Sequence, residues 1–128
     1  MSRVLVTGGA GFMGSQLVRS LAETGRDVVV FDKLTYAGNQ AFLDGVPHTF
    51  VLGDVCDEDA VRRVMADVDA VVHMAAESHV ARSLTGPDAF IQTNVVGTRV
   101  MLDSACRAGV DRFIHISTDE VFGQAPHG

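Results

Sequence analysis

The chain has no tryptophan, a single tyrosine (Tyr36) and a single lysine (Lys33). It also has no basic cluster. Ten Lys and Arg are scattered against sixteen Asp and Glu, for a net charge of −6, which argues against nucleic acid and anionic membranes as partners. Only two cysteines are present, Cys56 and Cys106, in unrelated surroundings. That excludes a disulfide framework, and no His/Cys/Asp spacing suits zinc, so no metal is expected and the thiols read as free in a reducing cytoplasm. No apolar run approaches the roughly 18–20 residues of a membrane span. The N-terminus enters a strand at once, without a charged region and long apolar stretch, so no signal peptide is expected. Repeats and low-complexity segments are absent too. What remains, 128 residues with 47% hydrophobic content, suits one globular domain with one core.

Apolar runs alternate with helical patterns. Strands are predicted at 3–7, 27–32, 49–52, 70–74 and 112–117. The first helix, 12–24, carries Met13, Leu17 and Leu21 at i, i+4, i+8, flanked by Val18 and Ala22, and Gly25 ends it. A second starts at Asp57, with Glu58 and Asp59 in the first turn, where the dipole favours anions. Its apolar side is Val61, Val64 and Met65. A third, 87–108, opens on Pro87 at a first helical position and carries a stripe of Ile91, Val95, Thr98, Leu102 and Ala105 down to Gly109. Residues 33–39, 75–86 and 118–128 read as loops. Short β-branched strands, apolar on both faces and alternating with helices, predict an α/β fold: a Rossmann-like doubly wound parallel sheet of five strands in the order 3-2-1-4-5. A full sheet of this type takes a sixth strand, so the domain is expected to be incomplete within these residues.

The first strand-to-helix turn is glycine-rich, with Gly8, Gly9, Gly11 and Gly14. Glycines there let backbone approach a phosphate closely, against the N-terminus of the following helix. Phe12 and Met13, inside the turn, are candidate cofactor contacts with Gly8, Gly11 and Gly14. Asp32 ends the next strand, 18 residues after Gly14. A carboxylate at that point accepts hydrogen bonds from ribose hydroxyls and repels a 2′-phosphate, which favours NAD over NADP. The alternative is a strand-end turn residue. Lys33, Leu34 and Thr35 follow as candidates, and the charge of Lys33 softens the preference. After the third strand, Asp54 and Val55 stand where adenine would lie. Asp54 either accepts from the adenine amino group or caps the second helix. Met74, Ala75 and Ala76 follow the fourth strand, where small residues let backbone pass beside the nicotinamide half.

His73 and His115 fall in predicted strands and read as hydrogen-bonded core residues, while His48 and His127 read as exposed. Asn94 sits poorly in a helix by propensity. It either faces a site or holds a loop by its side chain.

The stretch from Thr7 to Gly14 resembles the extended short-chain dehydrogenase/reductase superfamily. Four further stretches are more specific: Asp32-Lys-Leu-Thr-Tyr-Ala-Gly-Asn39, Ala75-Ala-Glu-Ser-His-Val80 with Arg82-Ser83, Thr93-Asn-Val-Val-Gly-Thr98 and Ile116-Ser-Thr-Asp-Glu-Val-Phe-Gly123. Together they resemble the N-terminal portion of the dTDP-glucose 4,6-dehydratase family, across all 128 residues. The resemblance implies a lyase of deoxysugar biosynthesis that uses NAD as a recycled oxidant on a nucleotide sugar. Oxidation at C4 is followed by loss of water across C5–C6 and reduction at C6. It implies that Asp119 protonates the departing C6 hydroxyl, Glu120 removes the C5 proton and Thr118 hydrogen-bonds the sugar near C4. Two adjacent carboxyls in those roles must differ in protonation. Ser78 resembles a residue between cofactor and substrate, His79 a substrate contact and Thr93 a cofactor contact. A homodimer, built through long helices such as 87–108, is also implied.

Two departures stand out: Ala81 where the family has Asp, and Phe122 where Tyr is usual. Both leave room for another sugar nucleotide. The superfamily's Tyr-x-x-x-Lys pair is absent from these residues, since Gln40 lies four beyond Tyr36. The expectation is a cofactor-binding domain over residues 1–128, without the C-terminal substrate region and inactive alone. The alternatives are a non-catalytic NAD-binding module, a related UDP-sugar epimerase or decarboxylase, and an interaction role.

Overall fold

The computed structural model describes residues 2–35, 38–77, 86–124 and 126. The five strands are β1 (Arg3–Thr7), β2 (Asp27–Asp32), β3 (Thr49–Leu52), β4 (Ala70–His73) and β5 (Arg112–His115). They form one sheet in the order β3-β2-β1-β4-β5, with all four neighbouring pairs parallel. The predicted order holds. β4 and β5 are shorter than their apolar runs, because Met74, Ile116 and Ser117 continue past the ladder toward the site.

Alternation along the strands feeds two cores. Leu5, Val29, Phe31 and Val71 point to one face, packed with Val61 and Met65 of α2 (Glu58–Val64 and its C-cap) and with Val100, Met101 and Ala105 of α3 (residues 87–108). Val4, Val6, Val28, Val30 and Val72 point to the other, under Val18 of α1 (Phe12–Glu23) and over Leu43 and Val46. Helices therefore cover both faces, which explains why the central strands carry apolar side chains on both sides.

Asp57 caps α2, its side chain accepting from the Ala60 N–H, with Glu58 and Asp59 in the first turn. Asp57→Ala is expected to cost about 1 kcal/mol in denaturant unfolding. Unchanged stability would show that the cap is replaced by water.

The helical stripes differ in part from expectation. In α1 the buried residues are Gly14, Ser15 and Val18, while Met13 is exposed. Leu17, Leu21 and Ala22 pack partly buried against the same core, so the expected stripe holds apart from Met13, which stands on the groove wall. In α3, Ile91, Val95 and Leu102 are exposed, whereas Ala105 is buried as expected, together with Gly97, Val100 and Met101. The helix is α at Pro87–Phe90, π at Ile91–Val96 and α again at Gly97–Ala108. It carries a second apolar stripe, and Gly97 lets that stripe close on Val55: a Cβ at 97 would stand 2.5 Å from a Val55 methyl. Residues 119–122, expected as loop, form a 3₁₀ turn, and so do Gln40–Leu43. Among the described residues no helix is long and apolar enough to cross a membrane.

Candidate functional site

The site is a groove of about 480 Å³ along the carboxyl ends of the strands. In open α/β sheets this edge is where ligands bind, at the point where strand order reverses about β1. The glycine turn forms its floor. Gly8 has φ +70°, and a Cβ there would lie 2.9 Å from the Ala75 nitrogen, so the turn rests directly on the end of β4. Gly14 is tighter still: its Cβ would lie 2.1 Å from the Gly8 carbonyl oxygen. The turn is closed by Gly11 N–H donating to that oxygen at 3.1 Å. Gly11 is the N-cap of α1 and supplies no side-chain acceptor, leaving the first-turn N–H groups for a ligand. Phe12 and Met13 stand exposed beside them on the groove wall.

Asp32 lies at the next strand end and is half-buried. One carboxylate oxygen accepts from Ala10 N–H at 2.9 Å and the other from Leu34 N–H at 2.8 Å. Asp32 thus braces the glycine turn while keeping an edge on the groove. The two sequence readings for it, ribose acceptor and strand-end turn residue, are compatible, because a carboxylate has about four lone-pair sites. Lys33 and Thr35 line the groove, whereas Leu34 does not. Leu34 takes φ +57° and packs against the α1-side core.

Asp54 and Val55 line the adjoining stretch. Asp54 is not the cap of α2. One of its oxygens accepts from Cys56 N–H at 2.9 Å and the other meets Lys33 Nζ at 2.9 Å. Burial by itself pushes the Asp54 carboxyl up, but the Cys56 N–H and Lys33 outweigh it and hold the group below its ordinary range. Hydrogen bonding and charge from Asp54 raise Lys33 in return. The lysine is committed to this pair across the mouth of the groove.

The opposite wall is Met74, Ala75 and Ala76, with Thr93 from the π segment of α3. Ile116, Ser117 and Thr118 close the far end, just before the 3₁₀ turn that carries Asp119 and Glu120 in its backbone. Ser78 and His79 lie outside the described residues, as do Tyr36, Ala81 and His127. The sequence reading did not single out Phe31, Gly38, Gly53, Glu77, Ile116 or Ser117 as site residues, though all six line the groove. Phe31 and Gly53 had a signal: a strand residue and a glycine at the same carboxyl edge.

The remaining residues divide. His73 is buried, with Thr7 and Thr98 as hydrogen-bond partners, as expected of a core histidine. His115 is exposed, because β5 is an edge strand with nothing described beyond it. His48 is half-buried and bonded to the Val46 carbonyl. Asn94 holds a loop: its side chain accepts from Glu77 N–H at 2.8 Å and donates to Glu77 O at 3.0 Å. Cys56 and Cys106 are free thiols.

Comparison with known proteins gives consistent results. The model of the NAD dependent epimerase/dehydratase family matches residues 4–128. A dTDP-glucose 4,6-dehydratase of Streptomyces niveus is 48% identical over 98% of this chain and 40% of its own length. One from Streptomyces griseus is 53% identical over 99% and 41%. Among solved structures, the dTDP-glucose 4,6-dehydratase DesIV of Streptomyces venezuelae, solved with NAD bound, superimposes with a TM-score of 0.93 at 49% identity, covering 98% of this chain and 42% of that one. A UDP-glucose 4-epimerase of Thermotoga maritima, solved with UDP-glucose, gives 0.85 at 36% identity, covering 91% and 38%. The chain spans about 40% of the length of the curated relatives it matches.

Proposed function

The chain belongs to the NAD dependent epimerase/dehydratase family, and from that premise we propose that it is the NAD-binding part of a nucleotide-sugar 4,6-dehydratase acting on dTDP-glucose or a close analogue. One observation carries the reading. A single groove collects the glycine turn, Asp32, Asp54 and the strand end running into Thr118. The turn fits a dinucleotide, since the space a Cβ would fill at Gly8 or Gly14 is taken by backbone, and the bare N-terminus of α1 faces the pyrophosphate position. Asp32 accepts from the ribose hydroxyls. Asp54 and Val55 border adenine, while Met74, Ala75 and Ala76 border the nicotinamide half, with Ser78 and Thr93 as further cofactor contacts. Bound NAD supplies a reversible two-electron oxidant for the sugar C4 carbinol.

The chain's own residues would do the rest. Thr118 holds the sugar near C4, with Ser78 and His79 on the substrate side. Asp119 protonates the leaving C6 hydroxyl and Glu120 takes the C5 proton. This carboxyl pair favours dehydration over epimerisation, which requires no elimination. Residues 1–128 serve as the cofactor domain. They contain no Tyr-x-x-x-Lys, so they bind NAD without turning over nucleotide sugar. The same reading places the protein in the cytoplasm, as a homodimer built on residues 87–108, supported by the exposed Ile91, Val95 and Leu102.

Calorimetric titration of the chain tests this. NAD is expected to bind saturably and more tightly than NADP. Asp32→Ala is expected to weaken NAD about tenfold or more, since a charge-assisted bond and the brace on the turn are both lost. No saturable binding of NAD would overturn the reading.

A further inference from the structure

We propose that Thr7, His73 and Thr98 form a one-way hydrogen-bond relay that positions the β4 wall of the groove, and that they are positioning residues for cofactor binding.

The direction of the relay follows from donor counting. Thr98 Oγ1 lies 2.7 Å from the Asn94 carbonyl, which can only accept, so the Thr98 proton is spent there. His73 Nε2 is 3.2 Å from that same oxygen and must therefore carry the hydrogen. A neutral imidazole has one N–H, which leaves Nδ1 as an acceptor. Thr7 Oγ1 stands 2.6 Å away and donates to it. The Thr7 oxygen then has its lone pairs for two donors, and both are present: Met74 N–H and Ala75 N–H, each at 3.1 Å. Each hydroxyl and ring proton in the chain thus has one placement, while the Met74 N–H is shared with the Thr7 carbonyl at 3.2 Å.

The surroundings keep the ring neutral. His73 is buried between β1 and β5 beneath α3, with Phe113 tilted over it and His115 edge-on, ring centroids 5.4 Å apart. Protonated Nδ1 would face a hydroxyl whose other neighbours are themselves donors.

The relay ends on the groove. Met74 and Ala75 are wall residues, and Ala75 backbone touches the space beside Gly8. Asn94, whose carbonyl terminates the relay, fixes Glu77 at the far end of the same wall through its side chain. The wall is thus tied at residues 74–75 to β1 and at 77 to α3. His73 is the part that spans the two ties. Neither Thr7 nor Thr98 lines the groove, so their effect on a ligand passes through this wall.

The affinity readout rests on the NAD reading above, whereas the spectroscopic one does not. In the full chain with ¹⁵N-labelled histidine, His73 is expected as the Nε2–H tautomer, and Thr98→Val is expected to mix the two tautomers. Thr7→Val is expected to shift the Met74 and Ala75 amide signals and to weaken NAD about tenfold, with Thr98→Val weakening it a few-fold. Thr7→Ser and Thr98→Ser, which keep the hydroxyl, are expected to restore both readouts. An Nδ1–H tautomer in the unmodified chain overturns the relay. So does a folded Thr98→Val or Thr7→Val with wall amides and NAD affinity unchanged. If no variant binds NAD and yet the tautomer and amide shifts come out as stated, the relay stands and the cofactor reading fails. Should Thr7→Val not fold, the Thr98→Val and Thr98→Ser pair decides.

Discussion

Gly14→Ala is expected to abolish saturable NAD binding and to lower stability by on the order of 3 kcal/mol, about 10 °C in Tm. The cause is local. The added Cβ would stand 2.1 Å from Gly8 O and 2.9 Å from Gly9 Cα, and both are backbone. No side chain can swing aside, so α1 must lift off the turn that carries its phosphate-facing N–H groups. Gly25→Ala is the control. That residue also departs from ordinary backbone, at φ +80°, but nothing lies within 4 Å of its Cβ. Only the left-handed conformation is penalised there, at about 1 kcal/mol, and cofactor affinity is expected to stay as it was. Thermal melts and NAD titrations on the two variants make the comparison. Equal losses would mean that the close approach at Gly14 has no special weight.

Lowering the pH from 7 to 4 is expected to remove roughly 3 kcal/mol of stability through His73 alone. Burial, with a smaller contribution from His115, pushes the imidazole down from 6.5 to about 4. The unfolded chain therefore takes up this proton near pH 6.5 while the folded chain refuses it until about pH 4. Between those values the unfolded state binds more protons, so stability falls as pH falls, and above pH 6.5 the effect is absent. Denaturant unfolding of the unmodified chain and of His73→Gln, pH by pH, isolates the contribution from the carboxylates common to both. The difference between the two curves is expected to slope only in that window. A flat difference would show that the ring is free to charge in place.

The sheet order and the groove floor were legible because they depend on signals that few structures share. A short β-branched run before Gly8, and Asp32 at the end of the next such run, place a turn and a carboxylate side by side whatever the rest of the chain does. The third helix was less legible. Residues 91–105 present two apolar lines that meet at Ala105, one from Ile91 through Val95 and Leu102 and one through Val100 and Met101, and periodicity cannot choose between them. The choice was made by Gly97, whose missing side chain lets α3 reach Val55, and by the π turn that rotates the first half. Neither leaves a mark in a hydrophobic pattern. Two roles stayed open for Asp54 in the sequence for a similar reason. A carboxylate near a helix start looks like a cap, and only the fold shows that Asp57 has that task while Lys33 comes across from β2. Thr7 and His73 were each visible as residues, but their partnership spans 66 positions and exists only once β1 and β4 are neighbours.

That neighbourhood orders the making of the molecule. β1 is central, paired on one side with β2 and on the other with β4. Its first partner follows within one helix, whereas its second, through Val4 with Ala70 to Thr7 with His73, arrives some sixty residues later. Until then one whole edge of β1 is open, and the floor of the groove exists without its wall. A ribosome must therefore release the chain through β4 before the glycine turn has anything to rest on, and loop closure over that span sets the pace at which a binding-competent groove can appear.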